Sequence, residues 1–201
     1  MTAMDLRKVR RLGALAAVLV LAGCGPVHTN TDSAGSSTAG ATTSETNPAG
    51  DIPDSQVYVP FTVPDGSFRV SVPEGWSRSA SGKATVFTDK TNTVRLESLA
   101  QPTAPTAESV TAQVVPVIAA ATPGYQPGSV SIVQRDAGPA VLVTYKASSP
   151  PNAVTGKSII DAVQRYEFWH AGRTAVITVS GPVGADNVDP WNTITNSLVW
   201  Q

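Results

Sequence analysis

The chain of 201 residues has a single cysteine, Cys24, and that cysteine closes a short apolar run. No disulfide can form within the chain, so its folded part must rest on a hydrophobic core. The run from Leu12 to Leu21 is about ten uncharged residues, preceded by Arg7, Lys8, Arg10 and Arg11. A bilayer-spanning helix needs roughly twenty apolar residues. A basic start, a short apolar stretch and an ending in small residues mark a secretory signal rather than a transmembrane helix. Residues 1–23 are therefore read as a leader.

The ending Leu21-Ala22-Gly23-Cys24 resembles the lipobox of bacterial lipoproteins. The resemblance implies a diacylglyceryl group on the Cys24 sulfur, cleavage before Cys24, and attachment to the outer face of the cytoplasmic membrane. It implies no other cofactor. Each buried CH₂ contributes about 0.8 kcal/mol, and one acyl chain is marginal where two anchor stably. The competing reading is an ordinary signal peptide with a cysteine near its cut site.

Residues 24–56 are poor in large apolar side chains. The stretch from Thr29 to Ser44 is almost wholly Thr, Ser, Gly, Ala, Asn and Asp. Such a segment buries too little surface to offset its ordering entropy. It reads as a flexible tether with an r.m.s. span of roughly 30 Å. Its hydroxyl density permits O-glycosylation, and His28 falls within it as an exposed side chain.

Residues 57–201 are long enough for one domain with a core. Removing residues 1–23 takes away four basic groups and Asp5, leaving 10 Lys+Arg against 14 Asp+Glu. Without a basic patch, nucleic acid is not an expected partner.

Short β-like runs dominate this part. Val57 to Phe61 contains Pro60 and suits a sheet edge. Ser67 to Val72 alternates, with Phe68, Val70 and Val72 on one face. Lys83–Thr88 and Thr93–Leu99 read as one hairpin. Val130–Gln134 and Ala140–Ala147 read as a second. Gln164–Ala171 and Arg173–Ser180, turning at Ala171-Gly172, read as a third. Thr106 opens a helical pattern through Val110, Val114, Val117, Ile118 and Ala121, weakened by Pro116. A last helix spans about Val188 to Leu198, with Asp186 or Asn187 as cap and Trp191, Ile194 and Leu198 as its apolar stripe. Hairpins impose antiparallel pairing. The expected class is α+β, a mostly antiparallel sheet with helices packed on its faces.

Phe68-Arg69-Val70-Ser71-Val72-Pro73-Glu74-Gly75-Trp76 resembles the F-x-[IV]-x-[VL]-P-x-x-W opening of PsbP/Mog1-like domains. The segment from Asp189 to Trp200 resembles their last helix and short final strand. The lipobox and tether in front resemble the LpqN-type lipoproteins of mycobacteria and their relatives. The resemblance implies a PsbP/Mog1-like sandwich and an accessory or binding role in the cell envelope. It implies no catalytic residues. Few Lys relative to Arg, with abundant Ala, Val, Thr and Pro, fit an actinobacterial source.

Little else in the chain points to chemistry. Thr155-Gly156-Lys157-Ser158 ends like a P-loop, but Pro151 stands where that motif needs glycine, so no nucleotide is expected. A hydrolase would have to use His170, and no G-x-S-x-G elbow is present. One histidine and no cysteine in residues 57–201 predict no metal site. Glu167 is expected to pair with an arginine across strands. The aromatics are the remaining lead. Trp76, Trp191 and most of their kind are expected in the core, whereas Trp169, His170, Tyr166 and Phe168 are the candidates for a contact surface or pocket. Three functions follow. The first is a membrane-anchored, non-catalytic module that binds or scaffolds an envelope protein. The second is a carrier or sensor of a hydrophobic envelope lipid in an apolar pocket. The third is a hydrolase built around His170.

Overall fold

The computed structural model describes residues 49–152 and 154–201. The leader, the lipobox, Cys24 and nearly all of the tether lie outside the described residues.

Ten strands form two antiparallel sheets. The small sheet has the order β1-β2-β10, from β1 (Tyr58–Thr62), β2 (Phe68–Pro73) and β10 (Val199–Trp200). The large sheet has the order β3-β4-β5-β9-β8-β7-β6. Its members are β3 (Ser77–Ser81), β4 (Ala84–Asp89), β5 (Asn92–Ala100), β6 (Gln126–Arg135), β7 (Gly138–Ser148), β8 (Ile160–His170) and β9 (Arg173–Pro182). The three expected hairpins all form. In the turn of the third, Ala171 and Gly172 both take positive φ, 45° and 82°. That is the geometry a two-residue hairpin turn requires.

β1 is an edge strand, as Pro60 predicts. β3 is a strand the sequence conceals: all five of its residues, Ser-Arg-Ser-Ala-Ser, are exposed, so no apolar alternation marks it.

The main core fills the space between the inner face of the large sheet and the layer made by β2 and α3 (Val188–Asn196). Phe68, Val70 and Val72 meet Val94 and Leu96 of β5, Ile177 and Val179 of β9, and Trp191, Ile194 and Leu198. The expected stripe on α3 is thus the buried one. Its N-cap is Asn187, but the side chain makes no capping bond and is used elsewhere.

The other face of the large sheet carries a smaller cluster, in which Val110 covers Val141 and Val143. Val110 belongs to a helical segment composed of α1 (Ala107–Ser109), a π turn (Val110–Val114) and α2 (Val115–Ala121). Thr106 caps it: its Oγ1 accepts the Ser109 N–H at 3.1 Å, and Ser109 Oγ accepts the Thr106 N–H at 2.9 Å. The π turn ends at Val114, just ahead of Pro116, the second residue of α2. Proline has no N–H for the carbonyl four residues back, and its ring crowds that carbonyl, so the backbone widens there. The extra residue shifts the apolar stripe. Val110 is buried, whereas Val117, expected on the same face, is 66% exposed.

The boundary between tether and domain lies earlier than residue 57. Ile52 is buried in the main core and its N–H is bonded to Asn187. One isoleucine in a polar, proline-containing stretch gives no periodicity from which to read this.

Candidate functional site

Alternation along β8 sorts the four aromatic candidates onto opposite faces. Tyr166, Phe168 and His170 point to one side; Arg165, Glu167 and Trp169 point to the other. Tyr166 and Phe168 are each 1% exposed and stack at 6.3 Å within the core. They offer no contact surface. Tyr166 Oη donates to Gln164 at 2.6 Å and accepts from Arg135 Nη2 at 3.1 Å, and that guanidinium lies over the Tyr166 ring. Burial of the aromatic body with its hydroxyl satisfied is the behaviour of a core tyrosine. His170 is exposed and packs against Trp200, with ring centroids 5.4 Å apart. It therefore shares no site with Trp169.

Trp169 remains 37% exposed. Its indole N–H donates to the Gln101 carbonyl at 2.8 Å. Gln101 is held in turn by the Gly172 carbonyl and by the Thr174 hydroxyl. The ring orientation is thereby fixed from the strand end.

Beside it lies a cleft of about 390 Å³ between the start of α1 and strands β6, β7 and β8. Ala104, Pro105 and Ala107 form one wall. Ile132, Pro139 and Val141 form the other, with Trp169 at the end. Ile132 is 54% exposed, a large apolar side chain left open to solvent. Two carboxylates, Glu108 and Glu167, complete the lining, and no basic, histidine, serine or cysteine side chain contributes to it. The Thr106 hydroxyl also lines the cleft but is committed to capping α1.

The Glu108 carboxyl is held below its ordinary range, chiefly by its own backbone N–H at the helix start and then by the Thr106 side chain. It is ionised at neutral pH. Glu167 is 3% exposed, and its Oε1 accepts from Arg165 Nε at 2.9 Å. Arg165 also reaches Glu97 across β9 at 3.7 Å, and Glu97 pairs with Arg95 at 3.0 Å. Glu167 does not pair across strands as expected, because Arg165, two residues away on the same face of β8, reaches it first. The cross-strand contact is Arg165–Glu97.

Comparison with solved structures identifies the fold. The solution structure of cyanobacterial PsbP from Synechocystis is 14% identical to this chain, covers 77% of it and is itself wholly covered, with a TM-score of 0.50. The fold is PsbP-like. This is the PsbP/Mog1-like architecture that the F-x-V-x-V-P-x-x-W segment implies. A crystal structure from Bacteroides thetaiotaomicron is 10% identical over 71% of this chain, with a TM-score of 0.49; the chain spans about half of that protein, 48%. LpqN, involved in cell envelope biogenesis of Mycobacterium tuberculosis, is 18% identical over 74% of this chain and 92% of its own, with a TM-score of 0.43. No protein-family model matches the chain, and no curated protein sequence matches it.

Within the PsbP-like domain, no helix among the described residues is long and apolar enough to cross a membrane. Among the same residues, no three His, Cys, Asp or Glu side chains group as metal ligands. The Thr155–Ser158 segment lies in a loop rather than after a strand. Asn152 Oδ1 accepts the N–H groups of Val154 and Thr155 there, closing a turn with no phosphate cradle. Ile132, Pro105 and Glu108 join Trp169 only in three dimensions. Alternation places Trp169 beside Glu167, but no local pattern says where α1 will cross the sheet.

Proposed function

We propose that this chain is a lipid-anchored, non-catalytic binding module of the cell envelope, which grips a protein partner in the cleft beside Trp169. The observation that carries the proposal is the pairing of two exposed apolar side chains, Trp169 and Ile132, with the exposed Glu108 carboxylate and no basic group in the lining. An occupant complementary to it is a peptide segment that sets an apolar side chain next to a lysine or arginine. Trp169 supplies an anchor with its orientation already fixed, which lowers the ordering cost of binding.

Two features favour binding over catalysis. The cleft holds no nucleophile paired with a base, and His170 lies on the opposite face of β8. A carrier of a wholly apolar lipid fits less well. Tyr166, Phe168 and Trp191, which would line an interior pocket, are packed at 6% exposure or less. Anchoring through Cys24 belongs to the same proposal and rests on the lipobox.

Affinity capture from membranes, using the anchored protein and its Trp169→Ala and Glu108→Lys variants, tests the proposal. One or more envelope proteins should be retained by the parent and lost with either variant. Equal recovery from all three would refute it.

A further inference from the structure

On the same face of the large sheet, at the other end of the strands, lies a second cleft of quite different chemistry. Asp161 and Trp169 are both on β8, about 26 Å apart at 3.3 Å per residue. The second cleft has a volume of about 610 Å³ and runs between the β4–β5 turn and the loop that precedes β8. Where the Trp169 cleft is apolar and acidic, this one is lined by Thr88, Thr91 and Thr93 and by Lys90 and Lys157, facing Pro150 and Ile159 of the loop.

Asp161 lines it too. The residue is 8% exposed, and its Oδ1 has no hydrogen-bond partner among the described residues. A buried carboxylate oxygen left unpaired is costly, and native structures seldom keep one without a use. Burial pushes the Asp161 carboxyl above its usual range. The two lysines are exposed, and Lys90 has only a loose contact of 3.9 Å with Asp89. Residues 57–201 carry equal numbers of basic and acidic side chains, and two of the cations stand at the mouth of this one cleft.

We propose that this cleft binds an acidic saccharide. Vicinal sugar hydroxyls both donate and accept, as Thr88, Thr91 and Thr93 do, and one of them can donate to Asp161. A carboxylate or phosphate on the sugar meets Lys90 and Lys157 at the mouth. The volume lies in the range of small-molecule sites.

Isothermal titration of the full-length protein in detergent micelles tests this, with tetragalacturonate as the acidic probe, maltotetraose as the neutral one, and inorganic phosphate. Tetragalacturonate should bind, maltotetraose more weakly, and phosphate more weakly still. The Lys90→Ala/Lys157→Ala variant should weaken tetragalacturonate by about tenfold or more, as expected for losing charged hydrogen bonds. Both lysines are exposed, so this variant tests the site without threatening the fold. Asp161→Ala should weaken both saccharides. The proposal is overturned by no binding of tetragalacturonate, by equal binding in the lysine variant, or by phosphate or maltotetraose binding as tightly. None of these outcomes depends on the Trp169 cleft.

Discussion

Asn187 Oδ1 accepts the Ile52 N–H at 2.8 Å, joining the start of the domain to the start of α3 across 135 residues of chain. The same side chain donates through Nδ2 to the Gly50 carbonyl and to Asn92 Oδ1, both at 3.0 Å. Asn92 Nδ2 reaches the Gly50 carbonyl at 2.8 Å. Asn187 is 2% exposed and Asn92 4%, so these bonds are made away from water. They fix the Gly50–Ile52 segment against the start of α3.

Asn187→Ala should therefore destabilise the domain by about 3 kcal/mol, since it leaves several buried groups unpaired. The melting temperature should fall by roughly 10 °C. Gly181 is part of the same arrangement: a Cβ there would collide with Asn92 Oδ1 and stand 2.8 Å from Asn187 Nδ2. Gly181→Ala should also destabilise, and the double variant should lose less than the sum of the two. Calorimetric melts of the three proteins measure this.

Trp169→Ala and His170→Ala should separate cleanly. His170 is exposed, so its loss should cost at most about 1 kcal/mol of stability, whereas Trp169→Ala also loses the indole bond to Gln101 and should cost about 1–2 kcal/mol without unfolding the domain. Trp169→Ala should abolish partner capture, and His170→Ala should leave it intact. Capture lost equally in both would place the contact at the end of the β8–β9 hairpin rather than in the cleft.

Two aspartates should give opposite pH dependences. Asp161 has a raised pKa in the fold because of burial, so the folded state holds its proton more tightly. Its contribution favours folding in acid and is lost as pH rises from the ordinary value of 3.8 through the folded pKa. Asp161→Asn should accordingly raise stability at pH 7, with that gain vanishing below pH 3.8. Asp65 has a lowered pKa: burial opposes ionisation, but hydrogen bonds from Ser67 and Ser98 and the Arg173 charge outweigh it. Its contribution is present above the ordinary value and lost as pH falls through the folded pKa. Because Asp65 and Arg173 are 38% and 48% exposed, Asp65→Asn should cost at most about 1 kcal/mol at pH 7. Melting temperatures of both variants between pH 3 and 8 check the signs.

Cys24→Ala should release the protein from the membrane fraction, because a single unprocessed leader lacks the two acyl chains that stable anchoring needs. Fractionation and immunoblotting read the result. A variant that stays membrane-bound without accumulating precursor would exclude the lipobox.

The sequence discloses the fold wherever a strand or helix has one wet face and one dry face. Phe68, Val70 and Val72 alternate and are buried; Trp191, Ile194 and Leu198 recur at helical spacing and are buried. Disclosure fails where that contrast is missing. β3 is exposed on both faces, and Ile52 is a lone apolar residue in a polar stretch. It fails also where a local break shifts the phase, as the π turn before Pro116 does for Val117. Of the cleft, only Trp169 is legible, because its neighbour Glu167 marks a face of β8. Its partners Ile132 and Glu108 come from β6 and α1, and only tertiary packing decides that these meet.

The most direct test is site-specific photo-crosslinking in cells, with a photoreactive residue at position 132 in the cleft or at position 199, an exposed site on β10. Position 132 should yield a discrete adduct that is absent from position 199. That adduct should disappear with Glu108→Lys, and should map to a partner segment that places an apolar side chain beside a lysine or arginine. An adduct common to both positions, or none at 132, would contradict binding through the Trp169 cleft.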